Sequence, residues 1–165
     1  LGIDVPLKPA AEQHPERRKS FHYLPYHMDS TLERDYLQEM LKVLMQKDIA
    51  LELYFNGDET LTEFTIKCYN RNAGGHWEYV GRYTPDFLAL SRNTDGSIRK
   101  VLIIETKGGI YAQKFASRRK FMEEEFVRQN NASFGYDRFN FLYIEENSSA
   151  ERQKQTLRTI QDFFA

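Results

Sequence analysis

A single cysteine, Cys68, occurs in the 165 residues, so no disulfide can close within the chain. His14, His22, His27 and His76 do not repeat at metal-ligand spacing, and without a second cysteine they argue against a zinc site. No apolar run reaches the length of a signal-peptide core or a membrane span, which makes the cytoplasm the expected location. Neither sign of charge is in excess: 23 lysines and arginines face 24 aspartates and glutamates, for a net charge of -1. A protein held on nucleic acid mainly through phosphates usually carries a basic surplus, so any such surface here has to be local. The chain has no Gly-x-x-x-x-Gly-Lys-Ser/Thr loop and hence no ATP site. It also lacks internal repeats, low-complexity tracts and heptad seams.

What is present suffices for one ordinary domain, with 41% hydrophobic residues. Residues 1–26 are polar, punctuated by proline and without period; they read as a linker from which a larger protein has been trimmed, with residues 27–165 as the domain. Ser30 opens a helical pattern with Leu32, Tyr36, Leu37, Met40, Leu41 and Leu44 on one side, ending near Lys47. Residues 49–55 and 63–69 read as two strands of a hairpin around Asn56-Gly-Asp-Glu. Further strands are expected at 76–80, 83–91 and 98–106. Phe115, Met122 and Phe126 then recur at helical spacing over 112–129, and Asn130-Asn131 closes that helix. Residues 138–144 make another strand, and the capping box Ser148-Ser-Ala-Glu151 opens a last helix with Leu157, Ile160 and Phe164 inward. Strands set between helices in this order predict an α/β fold.

The runs Phe87-Leu-Ala-Leu and Val101-Leu-Ile-Ile are short and continuously apolar, as in strands covered on both faces, yet Asp86, Glu105 and Lys107 stand at their ends. Asp95-Gly96 is a strong signal for a two-residue hairpin loop. With that loop Thr94 faces Ser97 and, pair by pair, Asp86 faces Glu105; Lys107 lies on the same face one step beyond, and Thr106 points away. An odd loop or a bulge would move the two carboxylates to opposite faces. Directly opposed carboxylates, with Cβ atoms about 4.5–5.5 Å apart, repel. One of them must take a proton, bind a cation or be paired with a base. A hard divalent cation answers this best, because Mg²⁺ accepts one or two carboxylates and keeps several waters. Such an ion lowers the pKa of a bound water and stabilises charge on a phosphoryl oxygen, while Lys107 would orient the water or neutralise the phosphate. Phosphodiester hydrolysis is the chemistry suggested. The plain alternative is an ion-pair cluster at a sheet rim.

Thr84-Pro-Asp86 followed by Glu105-Thr-Lys107 and Gly108 at the end of an apolar strand resembles the signature of the PD-(D/E)XK nucleases, which share the restriction-endonuclease-like fold. Within that superfamily, Tyr83-Thr-Pro-Asp-Phe-Leu with Ile103-Ile-Glu-Thr-Lys-Gly is similar to the C-terminal endonuclease domain of the large, helicase-bearing subunit of type III restriction enzymes. The similarity is sharp from Tyr83 to Gly108 and extends by element order from Ser30 to Glu145. It implies a central mixed β-sheet flanked by helices in αβββαβ order, with extra N-terminal strands and a C-terminal helix. It implies a Mg²⁺-dependent DNA endonuclease in which Mn²⁺ can substitute. Asp86, Glu105 and the Thr106 backbone carbonyl would bind the metal, and Lys107 would assist the attacking water. An upstream helicase motor, a methylation and specificity subunit, and a dimer for cutting both strands are implied as partners. Many members add a glutamate from the first helix, a place that Glu33 fits and Glu39 fits less well. Ser30-x-x-Glu33 is equally a capping box, whose glutamate only satisfies a backbone N–H. Two rival readings are a catalytically silent DNA-binding or docking module of a helicase complex, and a transposon-end nuclease of the same fold.

Smaller signals carry less. Lys114 and Arg118 share a helix face shortly after Lys107 and are candidates for DNA-phosphate contacts, although a solvated helix face is the commoner use of such residues. Gly108-Gly109 would let a DNA backbone approach Lys107 or simply reverse the chain. Cys68 and most of the aromatic residues fall at strand or helix periods and are expected in the core.

Overall fold

The computed structural model describes residues 30–57, 62, 64–108 and 112–165. The expected linker, Asp58 and Glu59 of the expected turn, Glu63 and Gly109 lie outside the described residues.

Helix α1 (Thr31–Gln46) starts at Ser30, whose extended backbone brings its Oγ to the Glu33 N–H at 3.1 Å. The helix buries Tyr36, Leu37, Met40, Leu41 and Leu44, the stripe expected from their spacing, together with Val43. Five strands follow: β1 (Glu52–Phe55), β2 (Ile66–Arg71), β3 (Trp77–Tyr83), β4 (Phe87–Arg92) and β5 (Ile98–Lys107). Then come α2 (Ala112–Phe121), a π-helical turn (Met122–Phe126), α3 (Val127–Phe134), β6 (Phe139–Glu145) and α4 (Ser149–Phe164). A four-stranded mixed sheet has the order β1-β4-β5-β6, antiparallel except for the parallel pair β5 and β6. Strands β2 and β3 form a separate antiparallel pair.

The pairing corrects the expected hairpin of 49–55 with 63–69. Strand β1 pairs with β4, Leu53 opposite Ala89 and Phe55 opposite Phe87, while β2 pairs with β3. Alternation says which residues of a strand face inward and is silent on the neighbour. The additional strands therefore form a hairpin inserted between β1 and β4, where N-terminal additions were expected. The helix after β5 also runs past Asn130-Asn131 to Phe134. Asn130 donates to the Phe126 carbonyl at 2.8 Å, and Asn131 brackets the N–H and C=O of Phe139 at 2.8 and 2.9 Å. Both amides serve the helix and its contact with β6, so neither ends it.

Alternation along β5 divides the interior in two. Leu102 and Ile104 join Phe87, Ala89, Ile144, α1 and α4 in one cluster; Val101 and Ile103 join Leu90, Tyr143, Cys68, Phe115 and Met122 in the other. Coverage on both faces explains the unbroken apolar run, since every side chain of residues 101–104 is buried. Cys68 belongs to the second cluster, and burial pushes its thiol up to about 11. Among the described residues no helix is long and apolar enough to cross a membrane.

The register of β4 against β5 decides where the charges meet. The loop is one residue longer than a Thr94–Ser97 pairing requires: Asn93 accepts from the Gly96 N–H at 3.0 Å and donates its own N–H to the Ser97 carbonyl at 2.9 Å. Gly96 takes the left-handed conformation, φ +84°, that such a three-residue loop needs. Arg99 is then bulged out, because Arg92 pairs with Ile98 and Ser91 with Lys100. The odd loop and the bulge each shift the register by one, and the shifts cancel. From Ser91–Lys100 to Phe87–Ile104 the strands hold the register that sets Asp86 against Glu105.

Candidate active site

Asp86 and Glu105 lie at the end of the β4–β5 ladder, one step past the Phe87–Ile104 pair. Glu105 is only 1% exposed and Asp86 6%. Asp86 Oδ2 accepts two hydrogen bonds from Thr106, from the backbone N–H at 2.7 Å and from Oγ1 at 2.8 Å. The carboxylate thus takes the place that a β4 carbonyl would occupy in the ladder. Within an extended strand the N–H and C=O of one residue point to the same neighbour, so the Thr106 carbonyl is aimed at the Asp86 side as well. Thr106 alternates onto the face opposite Glu105 as expected, but its hydroxyl reaches back to Asp86.

Glu105 has two donors. Tyr83 donates its hydroxyl to Oε2 at 2.8 Å, and Lys107 Nζ forms an ion pair with Oε1. Beneath them lies an aromatic floor: Tyr83 meets Phe115 edge-on at 5.1 Å, Phe115 stacks on Tyr143 at 5.8 Å, and Lys107 Nζ stands 5.5 Å from the Phe115 ring centre. Burial in this floor, reinforced by the Asp86 charge, pushes the Glu105 carboxyl up to about 8 against the pull of Lys107. Burial lowers Lys107, but the charges of Asp86 and Glu105 outweigh it and hold the ammonium above its ordinary value. Tyr83 is driven well above the ordinary phenol value by burial and then by the two carboxylates, so it stays a donor. All three shifts favour the protonated form of the group concerned.

Two residues that position the site were not singled out from the sequence. Tyr83 opens the motif Tyr83-Thr-Pro-Asp86, but the motif assigns its hydroxyl no role. Asn56 looked like a turn residue, yet it is 7% exposed and clamps the Pro85–Asp86 segment. Its backbone N–H donates to the Asp86 carbonyl at 2.7 Å, and its Nδ2 donates to Pro85 at 2.9 Å and Phe64 at 3.3 Å. Thr62 donates to its Oδ1 at 2.6 Å. Its place at the end of β1, directly beyond Phe55, was the one signal in the sequence.

Glu33 is buried, and its charge is among those that raise the Lys107 ammonium, which places it near the site. Its backbone N–H is capped by Ser30. Glu39 accepts from Arg152 Nη2 at 2.7 Å and ties α1 to α4 instead. Lys114 is exposed and makes no ion pair among the described residues. Arg118 donates from Nε to the Arg82 carbonyl at 3.1 Å, and its guanidinium lies 2.9 Å from where a Cβ on Gly81 would stand. Only a glycine fits there, at φ +142°. Arg118 thereby fastens α2 to β3.

Among the described residues no three His, Cys, Asp or Glu side chains are grouped to hold a metal ion. The donors at hand are two buried carboxylates, with a backbone carbonyl aimed toward them. Such hard oxygen donors fit a magnesium ion, which needs only one or two carboxylates and completes its shell with water. No family model, no curated protein and no solved structure matches this chain.

Proposed function

We propose that this chain is a metal-dependent endonuclease domain of the PD-(D/E)XK type, hydrolysing DNA phosphodiester bonds within a type III-like restriction or defence enzyme. The observation that carries the reading is the meeting of Asp86, Glu105 and Lys107 at the end of β5, with a Glu105 carboxylate 1% exposed and facing a second acid. A buried like-charge pair lowers stability unless a proton, a cation or hydrogen-bond donors offset it, and such arrangements cluster at functional sites. The element order supports the same reading: with the β2–β3 insertion set aside, one helix, three antiparallel strands, helices and a parallel fourth strand follow the αβββαβ order. An upstream helicase motor, a methylation and specificity partner, and a second copy for double-strand cutting belong to this reading.

Bound Mg²⁺ or Mn²⁺ would supply an acidified water and a Lewis acid for the phosphoryl oxygen. Asp86, Glu105 and the Thr106 carbonyl would hold it, with Glu33 as a further candidate from α1. Thr106 fixes Asp86 through its N–H and hydroxyl, and Tyr83 fixes Glu105 through Oε2. Lys107 stays cationic at neutral pH and presents movable donors to the attacking water or to a non-bridging phosphate oxygen. Cleavage of supercoiled plasmid in Mg²⁺ and Mn²⁺, compared with Asp86→Ala and Lys107→Ala, tests the proposal. Metal-dependent nicking lost in the variants supports it; activity retained in both sinks it.

One observation favours a silent binding module instead. Glu105 Oε1, Glu105 Oε2 and Asp86 Oδ2 all have donors within the protein, as a self-contained ion-pair cluster would. Equal DNA binding in chelator, no cleavage and no calorimetric Mn²⁺ binding would decide for that reading.

A further inference from the structure

The inserted hairpin carries a pattern that the site does not use. Along β2, Ile66 and Cys68 enter the second core cluster, so Lys67, Tyr69 and Arg71 alternate onto the other face. Their cross-strand partners are Arg82, Tyr79 and Trp77. Strict alternation back from Tyr83 would send Tyr79 and Trp77 inward. The bulge at Val80, where Cys68 pairs with Gly81 and Tyr69 with Tyr79, puts Val80 against the core and brings both aromatics onto the face of Lys67 and Arg82. The ring pairings agree: Tyr69 meets Tyr79 at 5.6 Å, and the Arg71 guanidinium lies 4.7 Å over Trp77. Three cations and three aromatics thus alternate on one sheet face.

Apart from Tyr69, half-buried with its ring 6.2 Å from that of Phe121, the face is exposed. Tyr79 is 58% and Trp77 41% accessible, although the aromatics of this chain are expected inside. Lys67 and Arg82 are directly opposed, both exposed, and neither has an ion-pair partner among the described residues. Like charges in that position repel, and an anion between them would relieve the repulsion. Glu78, the one acid of the two strands, pairs with Asn70 and is held by Asn72 at 2.8 Å. The face borders a groove of about 480 Å³ against α2, lined by Tyr69, Arg71, Trp77, Lys120, Phe121 and others. Of the acids on its far wall, Glu125 pairs with Arg128 and also feels the charge of Arg71, and Glu124 stands 4.0 Å from Lys120.

We propose that this hairpin face is a platform for single-stranded nucleic acid, with bases stacked on Trp77 and Tyr79 and phosphates held by Lys67, Arg71 and Arg82. Exposed ring faces can take only bases whose own faces are free, which duplex stacking denies and a single strand offers. The inference rests on nucleic acid being the ligand of this protein but not on cleavage. It would give a chain of net charge -1 the local basic surface that its composition demands.

Trp77 is the only tryptophan, so its fluorescence reports on this face alone. We expect a short oligothymidylate, titrated in EDTA at low salt, to quench it, with affinity falling as salt rises. A duplex of equal length should bind at least tenfold more weakly, and polyglutamate should not quench. Tyr79→Ala and Arg82→Glu should each weaken binding roughly fivefold or more. Arg82→Glu can pair with Lys67, so its thermal midpoint should not fall, which separates lost binding from lost folding. Absent quenching, equal quenching by polyglutamate, or duplex binding as tight as single-strand binding overturns the proposal. In chelator the assay is blind to catalysis: plasmid cleavage without quenching refutes the platform alone, whereas quenching with neither cleavage nor calorimetric Mn²⁺ binding refutes the nuclease and leaves the platform standing.

Discussion

At the end of β4 and β5, Asp86 and Glu105 are buried acids sharing one site; across β2 and β3, Lys67 and Arg82 are bases directly opposed in solvent. Each hairpin contains a bulge, at Arg99 and at Val80, that sets which side chains meet. In the buried pair, donors from Thr106, Tyr83 and Lys107, and a raised proton affinity at Glu105, absorb the repulsion. In the exposed pair, water screens it and nothing else among the described residues does. One pattern, like charges across a bulged antiparallel pair, is thus a hydrogen-bonded buried site when covered by aromatics and an open cation surface when not.

The largest effect is expected at Lys107. Lys107→Ala, like Asp86→Ala, should lower plasmid cleavage at least about 10²-fold while the circular dichroism spectrum is kept. Glu105 makes the next test. Its folded value, about 8, stands above the usual carboxylate value, so the folded state binds more protons than the unfolded one across the interval between them. In chelator, stability should therefore fall as pH rises through that interval, by at most about 1.4 kcal/mol per pH unit, and level off above it. Glu105→Gln should remove the slope in urea titrations run at several pH values; an unchanged slope would show that the buried acid is ionised throughout.

Asn56→Ala leaves the Pro85 carbonyl without its side-chain donor and the Thr62 hydroxyl without its acceptor, and should cost about 2 kcal/mol in a urea titration. Tyr83→Phe should cost about 1 kcal/mol and move the Glu105 titration to higher pH, because the lost hydrogen bond favours the carboxylate. The smallest effect belongs to the exposed pair: Arg82→Glu should stabilise the fold by roughly 0.2–1 kcal/mol, read from the thermal midpoint.

Much of the site was legible because it depends on local rules. The parity of Asp86, Glu105 and Lys107 follows from side chains alternating along a strand, and the apolar runs beside them mark strands covered on both faces. The two-residue loop that led to the pairing is not the loop that forms, and the register stands because Arg99 bulges out by the residue that the loop adds. Tyr83 and Asn56 were not legible, since a tyrosine or an asparagine becomes a donor to the site only through the distance at which folding leaves it.

The stripe of α1, the order of the elements, the burial of residues 101–104 and the place of Asp86, Glu105 and Lys107 at strand ends follow from the sequence alone, whereas the meeting of Asp86 with Glu105 also needed the bulge at Arg99. Those features are set by periods of two and 3.6 residues and by cap chemistry, which act over a few neighbours. Folding settled that β1 joins β4, that β2 and β3 stand apart as a hairpin, and that the bulge at Val80 turns Tyr79 and Trp77 outward. Strand pairing and bulge placement are settled by which distant apolar faces can be buried together, and no local pattern encodes that choice.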